Sequence, residues 1–131
     1  MKRSLSWTVG FGRACKGGVL RESSWSDVVT QLEKSCQNLG SVTLDVDELP
    51  GFELLTLQVV SGSGKYFLTL GEDDGNEYNV KMFVGDEALE KVVNIQGEPV
   101  DGSVICWGFN TVVEVFSQLF GNGRVGLDLM K

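Results

Sequence analysis

The sequence predicts an α+β protein: a single domain, an antiparallel sheet built around a central meander, and two main helices packed on it. Three observations predict this. Segments of period-two alternation follow one another through short turns, whereas parallel pairing needs crossovers of a dozen residues or more. Two stretches carry apolar residues at helical spacing, one before the strand run and one after it. A length of 131 residues with 42% hydrophobic content suits one domain, about two-thirds of whose surface can be buried.

The elements follow in chain order. Leu5, Trp7, Val9 and Phe11 alternate with Ser4, Ser6, Thr8 and Gly10, the pattern of a half-buried strand. A loop is expected over 12–23, where Gly17 and Gly18 stand among three positive charges. Ser24 or Ser26 then caps a helix that ends near Asn38, with Trp25, Val28, Val29, Leu32, Cys36 and Leu39 in one apolar stripe. Asp27 suits the first turn of that helix, and Gly40 is expected as its left-handed stop.

Val42, Leu44 and Val46 open the meander, and Pro50-Gly51 ends that strand. Leu55, Leu57 and Val59 share a face of 53–61, and Tyr66, Leu68 and Leu70 share a face of 65–71. Asp74-Gly75 signals a further hairpin, after which Tyr78, Val80, Met82 and Val84 lie on one face. Within 86–96, residues 86–91 read as a helical turn and Val92–Ile95 as extended. Gly97, Pro99 and Gly102 read as loop, and 104–107 as a short strand or the lead into a helix. Asn110 or Thr111 is expected to cap the second helix, with Thr111 and Glu114 at capping-box spacing. Val112, Val113, Val115, Phe116, Leu119 and Phe120 make it apolar over most of its girth, and Gly121-Asn122-Gly123 stops it. Val125, Leu127 and Leu129 alternate briefly at the end.

The composition excludes whole classes of chemistry. With no histidine there is no His-based triad, imidazole shuttle or His-ligated metal. Cys15, Cys36 and Cys106 form no C-x-x-C pair and suit a reduced, cytoplasmic setting. The N-terminus is basic, but Ser4, Ser6 and Thr8 interrupt any signal-like apolar run, and no window approaches a membrane span. Residues 61–65 carry Val59 where a phosphate loop needs its first glycine and Tyr66 where it needs a hydroxyl, so they read as a hairpin turn. Around Glu72–Glu77, aligning Gly75 with a calcium-loop glycine puts Leu70 and Lys81 at ligand positions. No metal or cofactor is expected. Cys15, beside Lys16, is a candidate activated thiol without a histidine base; Cys36 and Cys106 read as core thiols. Trp7 and Trp25 read as core residues, and Trp107 as less enclosed.

Charge supplies the positive indication. Residues 1–44 carry six basic and three acidic side chains, 45–101 carry three and thirteen, and 102–131 two of each. The middle third therefore repels nucleic acid and anionic lipid and attracts cationic partners. Asp45, Asp47, Glu48, Glu72, Asp73, Asp74 and Glu77 are the candidate partner-binding residues, with Tyr78 as an aromatic anchor. An unpaired sheet edge offers a second route to a partner.

The stretch 65–74 followed by Glu77-Tyr78-Asn79-Val80, with the closing 116–123 (Phe-Ser-Gln-Leu-Phe-Gly-Asn-Gly), resembles small bacterial proteins similar to the immunity proteins of polymorphic and contact-dependent toxin systems. The resemblance covers about half the chain and carries no catalytic motif to transfer. It implies a cytoplasmic, non-enzymatic protein that neutralises one cognate toxin domain, itself basic on its surface, by one-to-one binding. Two other expectations stand beside it: a regulatory or scaffold module without a toxin partner, and a small His-independent enzyme using Cys15 or paired carboxylates.

Overall fold

Strict alternation of burial organises the molecule. In β3 (Ser41–Leu49), Val42, Leu44 and Val46 are withdrawn from water, as are Leu55, Leu57 and Val59 of β4 (Phe52–Ser61) and Tyr66, Leu68 and Leu70 of β5 (Tyr66–Asp73). These residues share one face, and both helices cover it. The computed structural model describes every residue except 11, 12, 14 and 86–90. The expectation for Phe11, and that for a helical turn over 86–91 in all but its last residue, lie outside the described residues, as do the acids Asp86, Glu87 and Glu90.

β1 (Lys2–Val9), β2 (Lys16–Leu20) and β6 (Tyr78–Met82) extend the main sheet, in the antiparallel order β2-β1-β3-β4-β5-β6. The architecture is α+β with two helices, as expected. The 12–23 segment, however, is not all loop, because β2 lies within it. Its glycines serve close approach, not a turn: the Trp7 ring lies where a side chain at Gly18 would be, and the Trp7 carbonyl crowds Gly17. A second missed strand, β8 (Glu98–Asp101), pairs with β7 (Val92–Ile95). Pro99 is tolerated in that two-stranded ribbon, which has no central strand to interrupt. The ribbon packs Val93, Ile95 and Val100 over Val60 and Phe67, covering one corner of the face that the helices leave open. Of the two readings of 104–107, the strand holds: β9 (Ile105–Cys106) pairs with Phe67 and Tyr66.

α1 (Trp25–Gln37) starts in a complete capping box. The Ser24 hydroxyl accepts from the Asp27 N–H at 3.1 Å, and the Asp27 carboxylate accepts from the Ser24 N–H at 2.9 Å. The Ser24 N–H, with the Ser24 hydroxyl beside it, holds the Asp27 carboxyl below its ordinary value. Its end corrects the expectation for Gly40. The left-handed residue is Leu39 (φ 56°), and Gly40 is glycine because the Thr8 carbonyl occupies the place of a Cβ. The Gly40 carbonyl accepts from the Ser61 N–H at 3.0 Å, the Ser61 hydroxyl at 3.1 Å and the Gln96 amide at 3.1 Å. One peptide thus joins α1, β4 and the β7–β8 ribbon.

α2 (Phe109–Asn122) begins two to three residues earlier than expected. Its N-cap is Gly108 with no side-chain bond, so neither Asn110 nor Thr111 caps it; Gly123 (φ 69°) ends it as expected. Trp25 and Phe120 bring the helices together with ring centroids 5.6 Å apart, and the Arg3 guanidinium lies 4.4 Å over the Phe120 ring. The alternation at 125–129 does not build a strand: Leu127 is exposed, and Met130 alone bridges Phe83.

Gly40→Ala should destabilise the fold by about 3 kcal/mol, because backbone and not a yielding side chain fills the space. Gly51→Ala, opposed only by its φ of 88°, should cost about 1 kcal/mol. Urea unfolding measures both; equal losses would mean that Thr8 moves aside freely.

Candidate interaction surface

Because the helix side takes every second residue of the central strands, the residues between them form a second face. Its rows follow from the register. Lys2, Asp47, Leu54, Asp73 and Tyr78 stand side by side across β1, β3, β4, β5 and β6. Ser4, Asp45, Thr56, Gly71 and Val80 form the next row, and Ser6, Thr43, Gln58, Thr69 and Met82 the one after. The β7–β8 ribbon covers the far corner at Val60 and Phe67 and leaves these rows open.

Asp45, Asp47, Asp73 and Tyr78 of the candidate set therefore share one surface. Asp47 and Asp73 are two strands apart, about 10 Å, with Leu54 between them. Asp45 accepts a hydrogen bond from the Thr56 hydroxyl at 2.7 Å. One Asp47 oxygen, Oδ1, is out of contact with water and has no hydrogen-bond partner. Asp73 Oδ1 accepts from the Gly75 N–H at 2.9 Å. Tyr78 reaches diagonally across Gly71, where any side chain would overlap its hydroxyl; this buries the glycine while Tyr78 stays 65% exposed.

The remaining members are placed differently. Glu72 points to the helix side, where Lys81 pairs with it at 3.0 Å, the one ion pair among the described residues. Asp74 serves the β5–β6 turn: its Oδ1 accepts from the N–H groups of Asn76 at 2.8 Å and Glu77 at 2.7 Å, which holds its carboxyl below the ordinary range. Glu48 (φ 58°) and Glu77 are exposed where the β3–β4 and β5–β6 turns meet the strands. Both turns lie at the same end of the sheet, so these acids ring one end of the open face. Lys16 and Lys65 lie at the other end, beside Val9 and Tyr66.

Three contributors escaped the sequence reading. Glu53 joins the acidic end by lying against Gly75. Val80 and Met82 were legible as one face with Tyr78, but that face turns to solvent; Val80 is 51% exposed. They run into a groove of about 410 Å³ lined also by Val84, Ser103 and Val104. Residues 61–65 form the expected hairpin turn, with Ser63 and Gly64 at positive φ and the Gly62 N–H donating to the Lys65 carbonyl at 2.8 Å. Among the described residues no cluster of His, Cys, Asp and Glu is placed to hold a metal ion. Nor is any helix there long and apolar enough to cross a membrane. Cys36 and Cys106 lie in the core, where burial raises both thiols, Cys36 to about 12; Cys15 is exposed.

Fold and surface together define an antiparallel sheet backed by two helices on one side and, among the described residues, left largely open on the other. The chain belongs to the DUF6911 family of unknown function, whose model matches residues 6–129. No curated protein matches its sequence. Among solved structures it is similar to a hypothetical protein from Neisseria gonorrhoeae, with a TM-score of 0.71 and 11% identity over 95% of this chain and 91% of that one. At that identity the likeness is one of fold.

Two measurements check this description. A thiol reagent at mildly alkaline pH should label Cys15 alone in the native protein and all three cysteines in urea; native labelling of Cys36 or Cys106 would contradict their enclosure. Because Asp74 titrates below its ordinary value of 3.8, its support of the turn is full above that value and is lost as pH falls through the lowered one. Amide exchange at Asn76 and Glu77, corrected for its intrinsic rate, should speed up over that acid range. Asp74→Ala should show the fast rate already at neutral pH; unchanged protection would mean that the carboxylate does not hold the turn.

Proposed function

We propose that this protein is a cytoplasmic, non-enzymatic binding protein that uses its open sheet face to engage one cationic partner domain, and that the partner is a bacterial toxin domain which it neutralises. The observation that carries the reading is the sheet face, uncovered among the described residues, that bears Asp45, Asp47 and Asp73 beside the exposed Tyr78. A net charge of −7 and an acidic end to the sheet favour a basic protein surface and oppose a nucleic-acid or anionic-lipid ligand. The toxin as partner rests on the resemblance of residues 65–74, 77–80 and 116–123 to immunity proteins. The open face supports binding by any cationic domain, so the partner's identity is the point to test.

The toxin domain encoded beside this gene should co-purify with the protein as a one-to-one complex. The triple variant Asp45→Lys/Asp47→Lys/Asp73→Lys should slow association by at least about tenfold at low salt. Glu114→Lys, exposed on α2, should leave the rate unchanged. Stopped-flow association across a salt series reads both. A triple variant that associates at the wild-type rate would remove this face from the interface, and no complex with the encoded toxin would remove the immunity reading.

A further inference from the structure

We infer that the unpaired stretch of β6, Tyr78–Lys81, receives an extended segment of the cationic partner as an added strand. The inference rests on the binding reading above and says how the partner is held. In an antiparallel strand the N–H and C=O of one residue point to the same side, and successive residues alternate. Met82 turns both groups away from β5: its N–H donates to the Lys131 carbonyl at 2.9 Å, and its carbonyl accepts from the Lys131 N–H at 3.0 Å. The Phe83 N–H points back to the Leu68 carbonyl of β5, as the alternation requires. Val80 and Tyr78 are therefore turned outward like Met82, and among the described residues nothing pairs with their backbone.

Three features of this edge fit an incoming strand. The C-terminal residues 129–131 already lie along 82–84 and satisfy the outward groups of Met82 and Val84, so the edge accepts strand-like pairing where it is occupied. On the open face the free stretch carries apolar, exposed side chains, at 65% for Tyr78 and 51% for Val80, so alternate apolar residues of an added strand would be partly covered. Asp74 and Glu77 stand at the turn that begins the stretch, where they favour lysine or arginine. A second copy of this chain would bring another charge of −7 to the same edge, which the acids oppose and a cationic segment does not.

The probe is a short peptide of alternating valine and lysine, with an oligolysine of equal length as the charge-only comparison. The alternating peptide should bind more tightly than oligolysine and should slow amide exchange at Tyr78 and Val80. Val80→Pro removes an outward N–H, which an edge strand tolerates, and should weaken the alternating peptide about tenfold. Val80→Thr keeps the N–H and should stay within about twofold of wild type. The exchange measurement on the wild-type protein stands even if the proline variant folds poorly. If both peptides bind equally, survive Val80→Pro and are lost only in the Asp45/Asp47/Asp73 triple variant, strand addition is overturned and the acidic-face reading stands. If neither peptide binds the wild type, both readings fall.

Discussion

Everything on the outside of this molecule is set by what β3, β4 and β5 commit to the inside. Nine side chains from these strands, Val42 to Leu70, leave water on the helix side in unbroken alternation. A period of two leaves no freedom over the residues between them: Asp45 stands between Leu44 and Val46 and must face the other way. A slip of one residue in β3 would drive Asp45 and Asp47 into the core and lift three apolar residues out, at a cost comparable with the whole stability of a domain this size. The acids of the open face are thus as firmly placed as the core, although they contribute little to holding it.

Local spacing informs only as far as local contacts decide the structure. The meander, the first helix with its Ser24 and Asp27 cap, and the Gly123 stop were readable because each rests on local spacing or local hydrogen bonds. β2 was hidden because Gly17 and Gly18 resemble loop residues, and only the position of the Trp7 ring explains them. β8 was hidden by Pro99, whose tolerance depends on the ribbon having two strands. The α2 cap was misplaced because Asn110 and Thr111 offered better side chains than Gly108, and burial of Val112 and Phe116 prevailed over capping chemistry. In each case the missing information was a contact across the chain.

The candidate site divides on the same line. That Asp45 and Asp47 share a face was implicit in alternation, but their meeting with Asp73 and Tyr78 needed the order β3-β4-β5-β6. Glu72, adjacent to Asp73 in sequence, falls on the opposite side and is neutralised by Lys81. The Tyr78–Val80–Met82 alternation gave a face without a direction. Register with β5 supplies the direction: Tyr78, Val80 and Met82 stand beside Asp73, Gly71 and Thr69, so the apolar row turns to the open face. Gly71 carries the trace of that choice, since its missing side chain is the space Tyr78 occupies.

Two kinds of attraction then meet at this edge, and they act at different stages of binding. A single exposed charge pair at 4 Å is worth about 1 kcal/mol in water, and physiological salt screens fields beyond about 8 Å. Asp47 and Asp73, about 10 Å apart across β4, therefore act as nearly separate charges and not as one clamp. Such charges raise the frequency of productive encounters more than they lengthen the life of a complex. Residence has to come from groups that lose water: apolar side chains that become covered and backbone polar groups that gain partners. Tyr78 and Val80 supply both from the same residues, with exposed side chains on the open face and outward amides along the β6 edge. The acids sit around that strand and not upon it, an arrangement in which the field gathers a cationic segment and the edge retains it.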